Sequence, residues 1–317
     1  MTPVPPLVVI AGATATGKTG LALQLADALR NEGIPAEIIS ADSRQVYRGL
    51  DIGTAKVPAA DRDRIPHHGL DLVDPDEPFS VADFAAHART SLNGIALTGG
   101  VAILVGGTGL YLRAVARGLD TDALPHDPAI RAQVEAELSE TGLPAAAGRL
   151  AILAPLLAAR TDLRNPRRVA RALEIAELRG DAPRPEPRGY DAPVAWLGLT
   201  IDPSTHRRWI AGRARAQFDA GLVEEARALR ERYDPNVPAF SAIGYREAWA
   251  VLDGTLTRDE AIAEDARRNV AFAKRQGTWF RAEPGIEWLD AAGSPLGAAR
   301  RAAQDLAEAV AQSPSRP

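Results

Sequence analysis

At 317 residues, with 46% apolar residues, no cysteine and a net charge of −4, the chain has material for one large or two modest domains. The lack of cysteine excludes disulfides, zinc-thiolate sites and thiol catalysis, and the slight acidity speaks against a generally basic coat for nucleic acid. A local basic face stays open, because salt confines surface electrostatics to about 8–10 Å. No window holds about 18 uninterrupted apolar residues, and Met1 to Pro6 lacks a basic segment; neither a membrane span nor a secretory signal is expected, and the cytoplasm is the simplest location.

In chain order, Pro3, Pro5 and Pro6 read as an extended lead-in, Leu7–Ile10 as a strand and Lys18–Asn31 as a helix. Between them stands Gly12-Ala13-Thr14-Ala15-Thr16-Gly17-Lys18-Thr19, with Gly-x4-Gly-Lys-Thr spacing. Its glycines let the backbone curl so that successive N–H groups point inward, and those donors, with the helix N-terminus behind them, suit a di- or triphosphate. Lys18 would neutralise oxygens that gain charge when a bond to phosphate breaks, and the Thr19 hydroxyl is placed to ligate Mg2+. The bland alternative is a glycine-rich turn between strand and helix; the pattern says pyrophosphate without saying kinase.

A second strand, Ala36–Ser40, runs into Ala41-Asp42-Ser43. Val81–Leu97 reads as a helix, with Val81, Phe84, Ala85, Ala88 and Leu92 on one face. Val101–Val105 is a continuous apolar run, as in a strand covered on both faces, and leads through Gly106-Gly107-Thr108-Gly109 to a helix from Leu110. This alternation predicts an α/β fold with a parallel sheet and a site at the carboxyl ends of its strands, where Asp42 and Thr108 should converge on the phosphate loop.

From Leu119 to Pro193 the pattern turns helical, with Ala129–Thr141, Leu143–Leu150 and Pro166–Arg179, and closes on a proline-rich connector, Ala182–Pro193. Val194–Ile201 restores a strand, so residues 119–193 read as a helical insertion in a core built from 1–118 and 194–317. Further helices are predicted at Ser204–Ala220, Val223–Arg232, Tyr245–Leu252, Thr257–Arg281 and Ala291–Gln312. Residues 160–190 carry eight arginines (160, 164, 167, 168, 171, 179, 184 and 188) against five acids, a local excess of positive charge.

Asp42, at a strand end beside a phosphate loop, suits proton removal, and a kinase could use such an acid on a substrate hydroxyl; the bland alternative is a turn or helix-cap aspartate. Gly106-Gly107 stands where many nucleotide hydrolases place a metal-binding carboxylate, which lowers that reading and leaves room for close backbone approach to a ligand. In Glu264 to Arg281, Arg267, Lys274 and Arg281 recur every seven residues, as do Arg268 and Arg275, with Trp279 and Phe280 interleaved. That stripe is either a solvated face over a buried aromatic pair or a groove for an RNA backbone. His67-His68 lacks a third metal ligand at useful spacing; Trp196, Trp209 and Trp249 read as core or domain-seam residues, and Tyr111 as packing.

Several ordered motifs together resemble the tRNA dimethylallyltransferase (IPP transferase) family over Val9 to Arg281. They are the phosphate loop from Gly12 to Thr19, Ala41 to Tyr47, Asp51 to Lys56, Pro66 to His68, Ser80 to Phe84, Gly106 to Tyr111, Ile243 to Arg246 and Lys274 to Arg281. Ala13 departs from the family's usual proline; since proline offers no donor there, little change in phosphate binding is expected. The resemblance implies a P-loop NTPase-like parallel sheet flanked by helices, with an inserted all-helical tRNA-binding domain. The implied activity is transfer of a dimethylallyl group from its diphosphate to N6 of adenosine 37 in the anticodon loop.

By that resemblance Asp42 is the base, Thr108 assists at the reacting ends, and Lys18 with Gly12, Ala13, Thr14, Ala15, Thr16, Gly17, Thr19 and Arg213 holds the diphosphate, with Mg2+ on Thr19. Asp42, Ser43, Arg44 and Gln45 would meet the target base and its neighbours. Arg131, Arg167, Arg168 and Arg171 would hold the anticodon stem-loop. Arg246, Arg275, Gln276 and Arg281 would line the channel into which the base flips, and Tyr245 and Trp279 would also contact the tRNA. A monomer without membrane partners is expected. Three rivals remain: prenylation of free AMP or ATP, a P-loop kinase, and an RNA-binding protein that uses nucleotide as a switch.

Overall fold

The computed structural model describes residues 4–121, 125–182 and 186–312. Pro3, Pro183, Arg184 and Pro185, read above as lead-in, connector and basic segment, lie outside the described residues. The chain divides into two compact units, 1–118 with 189–317, and 119–188.

The first unit begins β1 (Leu7–Gly12), α1 (Lys18–Asn31), β2 (Ala36–Ser40), α2 (Ala59–Arg64), β3 (His67–His68), α3 (Val81–Leu97), β4 (Val101–Gly106) and α4 (Gly109–Ala116). The second unit holds α5 (Pro128–Thr141), α6 (Leu143–Leu153), α7 (Pro155–Ala159) and α8 (Pro166–Arg179). The first then resumes with β5 (Val194–Thr200), α9 (Pro203–Asp219), α10 (Leu222–Arg232), a 3-10 turn at Pro238–Ser241, α11 (Tyr245–Leu252), α12 (Arg258–Arg281), β6 (Glu287–Asp290) and α13 (Pro295–Gln312).

All six strands pair in parallel, in the order β3-β2-β4-β1-β5-β6. β1 and β4 are buried along their whole length. Alternation sends Val8, Ile10, Ile103 and Val105 to one face, with Leu21, Leu25 and Leu29 of α1 and Ala299 and Ala303 of α13. Leu7, Val9, Ala102 and Leu104 go to the other, which Phe84, Leu92, Leu112, Phe218 and Phe280 cover. Tyr111 is packing, as read: it is buried and its ring stacks on Phe84 at 4.1 Å. Trp196 and Trp249 are core residues, whereas Trp209 is 38% exposed and is not part of the core.

The second unit has its own core, in which Val134, Leu150, Leu157, Val169 and Leu173 interlock. Asp127 and Asn165 cap α5 and α8 by accepting backbone N–H groups, and Pro128 and Pro166 follow them at the first helical position. This unit ends at Arg188 rather than at 193. The Gly189 N–H bonds Arg117 O (3.1 Å) and the Tyr190 hydroxyl bonds Pro5 O (2.8 Å), tying the close of the connector to the first unit. The sequence reading missed α2, α7, β3 and β6. β3 is two histidines paired beside Ile38 and Ile39, and β6 is a short, half-polar edge strand; neither carries a strand's hydrophobic period. Among the described residues no helix is long and apolar enough to cross a membrane.

Candidate active site

β1 delivers the chain to the phosphate loop at the carboxyl edge of the sheet. Ala15 (φ 59°) and Gly17 (φ 83°) adopt left-handed conformations two residues apart, and Gly17 caps α1. That alternation curls the loop; a non-glycine residue in this region stores about 1–3 kcal/mol of strain, held by the loop's other contacts. The Thr16 hydroxyl (2.9 Å) and Lys18 Nζ (2.6 Å) both donate to the Ala13 carbonyl. Thr14 is fastened at three atoms: its N–H donates to Gln276 Oε1 (2.8 Å), its carbonyl accepts from His206 Nε2 (2.8 Å), and its hydroxyl accepts from Arg213 Nη1 (3.2 Å).

The neighbouring strand ends are locked to each other. Gly106 packs so tightly on β2 that a Cβ there would lie 2.0 Å from the Ala41 carbonyl oxygen. The open glycines after Val105 are therefore explained at Gly106 by strand-end packing rather than by ligand approach, and no carboxylate fits there. Thr108 Oγ1 accepts the Ser43 N–H (3.0 Å), and its own N–H reaches Ala41 O (3.2 Å). Asp42 Oδ1 accepts the Arg44 N–H (2.8 Å), so the aspartate does form the turn of the bland reading. Among the described residues its Oδ2 has no hydrogen-bond partner. One carboxylate thus both shapes the turn and faces the cavity.

Lys18, Thr19, Asp42, Arg213 and Gln276 line a cavity of about 380 Å³ together with the apolar Ala22, Ile38, Val57 and Val105. Burial, and then the nearby Arg213 charge, lower the Lys18 ammonium to about 7, with Asp42 acting in the opposite sense. Burial also lowers Arg213, against Asp42 and Asp265, and its Nε is buried without a partner. Two cations that burial disfavours would gain from an anion beside them. Thr19, whose hydroxyl is the side chain suited to a hard divalent cation, lines the same cavity. Among the described residues no three acidic or imidazole side chains form a metal cluster. His67 Nδ1 instead bonds Ile65 O (2.7 Å), and His68 Nε2 bonds Glu37 (2.6 Å).

The residues assigned to RNA by resemblance fall into two groups. Arg246, Arg275 and Arg281 are exposed on α11 and α12, and Arg167 and Arg168 are exposed at the start of α8. Others are committed internally. Gln45 is buried, accepting from Ser40 Oγ (2.8 Å) and donating to Thr54 O (3.0 Å). Tyr245 is fully buried, its hydroxyl on Glu225 (2.7 Å) and its ring where a Cβ on Gly53 would stand. Arg131 and Arg171 converge on the buried Glu174 at 3.1 and 2.7 Å. The ring of Trp279 packs on Gly109 under the Arg113 guanidinium, 4.6 Å away, and is no open stacking platform. In the basic stripe, Arg267 pairs with Glu264 and Arg268 with the buried Glu247. Arg44 is half-buried, its guanidinium on Pro238 O (2.8 Å). Two cavity residues were missed. Trp209 of α9 and Phe272 of α12 stand one turn before Arg213 and Gln276, 38% and 37% exposed. The i, i+4 spacing to residues already singled out was the available signal.

The family model described as IPP transferase matches residues 45–283. A tRNA dimethylallyltransferase of Anaeromyxobacter sp. (strain K) is 46% identical over 293 residues, 89% of this chain and 92% of that protein. One of Thermus thermophilus is 43% identical over 286 residues, 87% and 90%. The full-length tRNA isopentenylpyrophosphate transferase of Bacillus halodurans superposes with a TM-score of 0.67 at 37% identity, covering 96% of this chain and 95% of that one. A eukaryotic dimethylallyltransferase solved acting on tRNA shares the fold, with a TM-score of 0.78 at 24% identity, over 99% of this chain and 81% of that one.

Proposed function

The chain belongs to the IPP transferase family, and from that premise we propose that it is a tRNA dimethylallyltransferase acting on N6 of adenosine 37. The observation that carries the reading is one cavity holding a phosphate loop, two cations and a single carboxylate. Dimethylallyl diphosphate is the donor, with its diphosphate on the loop amides, Lys18, Arg213 and the Thr14 hydroxyl, and its five carbons against the apolar lining.

The N6 lone pair is delocalised into the purine, so the amine is a weak nucleophile, whereas the allylic carbon tolerates positive charge. The C1–O bond breaks as N6 bonds C1, the N6 proton passes to Asp42 Oδ2, and diphosphate departs. The Arg44 N–H on Oδ1 fixes the carboxylate's orientation for that transfer. Lys18 and Arg213 face the oxygens on which charge develops; a preorganised group of this kind contributes about 2.7–4 kcal/mol of barrier lowering. Mg2+ on Thr19, when bound, adds further neutralisation of the leaving group. Thr108 acts from behind, holding Ser43 and with it the Asp42 turn. Arg167 and Arg168 of the inserted unit, and Arg246, Arg275 and Arg281 of the other, supply exposed cations for the RNA backbone. The protein works as a monomer in the cytoplasm, on an adenine flipped out of the single-stranded loop.

The test is purified protein with labelled dimethylallyl diphosphate, offered tRNA, AMP and ATP side by side. Label on tRNA alone is expected. Label on AMP or ATP with none on tRNA would overturn the assignment of acceptor.

A further inference from the structure

We infer that Gln276 is a positioning residue for the transfer, setting the separation between the diphosphate cradle and the base, and is not a contact for RNA. The inference rests on the reading above and reassigns a residue that the family resemblance places at the tRNA.

Gln276 lies in the second-last turn of α12, with only 7% of its surface exposed. Its side-chain amide is satisfied on both atoms by two loops distant in sequence. Oε1 accepts the Thr14 N–H (2.8 Å) and Nε2 donates to the Gly107 carbonyl (2.9 Å). Because one partner only donates and the other only accepts, the amide has one orientation that satisfies both. The fit is tight from the far side too: a Cβ on Gly107 would lie 2.4 Å from Nε2. A carboxylate could keep the Thr14 bond but would face the Gly107 carbonyl with no proton to give.

The two loops carry the two halves of the chemistry. Thr14 opens the turn that leads to Lys18, and its hydroxyl holds Arg213. Gly107 precedes Thr108, whose hydroxyl receives the N–H of Ser43, next to Asp42. A single side chain therefore spans the donor loop and the strand end that orients the base, anchored in a 24-residue helix. In group transfer, a displacement of about 1 Å between reacting groups can cost on the order of 100-fold in rate. Lys274 and Arg275, its neighbours on α12, are exposed, so RNA can meet this helix without meeting Gln276.

The experiment uses the full chain with dimethylallyl diphosphate and an anticodon stem-loop RNA, comparing Gln276→Met, Gln276→Glu and Gly107→Ala with the parent. The parent's turnover of both substrates is measured first, so that failure of the proposed function is seen separately. Each variant is expected to lose about 10–100-fold in single-turnover rate. Gln276→Glu should lose more in donor KM than Gln276→Met, since it sets a negative charge beside the diphosphate. The Kd for the stem-loop should stay within two-fold of the parent in all three. Gly107→Ala leaves Gln276 itself intact, so it reports on the bridge even where a change at 276 impairs folding. A tenfold weaker stem-loop Kd with the single-turnover rate preserved would overturn the inference in favour of an RNA contact. Unchanged kinetics with only a lowered melting temperature would overturn it in favour of a merely structural role.

Discussion

The cations of the phosphate cavity and those inside the helical unit are held in opposite ways. In the P-loop unit, Lys18 and Arg213 bond a carbonyl and a hydroxyl, and among the described residues neither has a carboxylate at ion-pair distance. In the helical unit, Arg131 and Arg171 close on Glu174, and Arg149 bridges Glu137 and Glu177. Burying a charge without an opposite partner is costly, so a chain keeps such cations only where an anion arrives from outside. The count of eight arginines between residues 160 and 190 overstated the surface available to RNA, because part of it neutralises the unit's own acids. A cation's meaning lies in its partners, which the sequence does not display.

The largest effect should come from the carboxylate that joins the two unpaired cations in the cavity. Asp42→Ala is expected to lower turnover by about 10²–10⁴-fold, the usual worth of a positioned general base, with stem-loop affinity nearly intact. Near-normal turnover would remove Asp42 as the base.

Lys18 gives the contrast its pH dependence. With its ammonium lowered to about 7, the side chain is charged below that pH and increasingly neutral above it. Donor binding at pH 8 should therefore take up a proton, seen as a buffer-dependent heat in calorimetry, and donor KM should rise as pH climbs through 7. Lys18→Ala should abolish the uptake and raise donor KM at every pH. Proton-neutral donor binding in the parent would contradict the cradle's assignment.

The arginines of the helical unit sharpen the comparison from the other side. Arg167→Glu with Arg168→Glu should weaken tRNA binding and flatten its salt dependence, by about 0.7–0.9 in log–log slope for each phosphate no longer neutralised. Arg171→Ala should instead leave the salt slope alone and lower the melting temperature. A reversed pattern would mean that the ion pairs around Glu174 open for RNA.

Glu174 supplies the smallest and most local test. Burial alone would raise its carboxyl, but hydrogen bonds from Arg171, His126 and Arg131 outweigh that and hold it at about 2, against an ordinary 4.5. Its stabilisation is complete above pH 4.5 and lost as pH falls towards 2. Glu174→Gln should remove that part of the acid sensitivity of the helical signal and cost about 1–3 kcal/mol at neutral pH. An acid melting profile indistinguishable from the parent's would sink the ion-pair account.

What the sequence disclosed follows from how local each signal is. The phosphate loop, the buried strands and the boundaries of α1, α3 and α8 are written in short windows, as glycine spacing, apolar runs and caps. Asp42 was legible as a turn residue or as a base; the structure shows the turn, on Oδ1, and the base is the role proposed for Oδ2. The bridge from Gln276 to Thr14 spans 262 residues and leaves no local trace, so a residue legible only as part of a motif was assigned to RNA. The internal bonds of Gln45 and Tyr245 were hidden for the same reason: distant elements bury these polar motif residues and supply their partners. Glycine at 106 was legible as a need for space, but not as space for Ala41 rather than for a ligand.

In the proposed reaction the phosphate loop holds a leaving group and not a phosphoryl donor. Mass spectrometry of nuclease-digested tRNA, after incubation with dimethylallyl diphosphate and γ-labelled ATP together, tests it most directly. The expected result is one five-carbon allyl group on N6 of adenosine 37, with diphosphate released in equal amount and the ATP label left in place. Labelled phosphate on any acceptor, with the RNA mass unchanged, would contradict it.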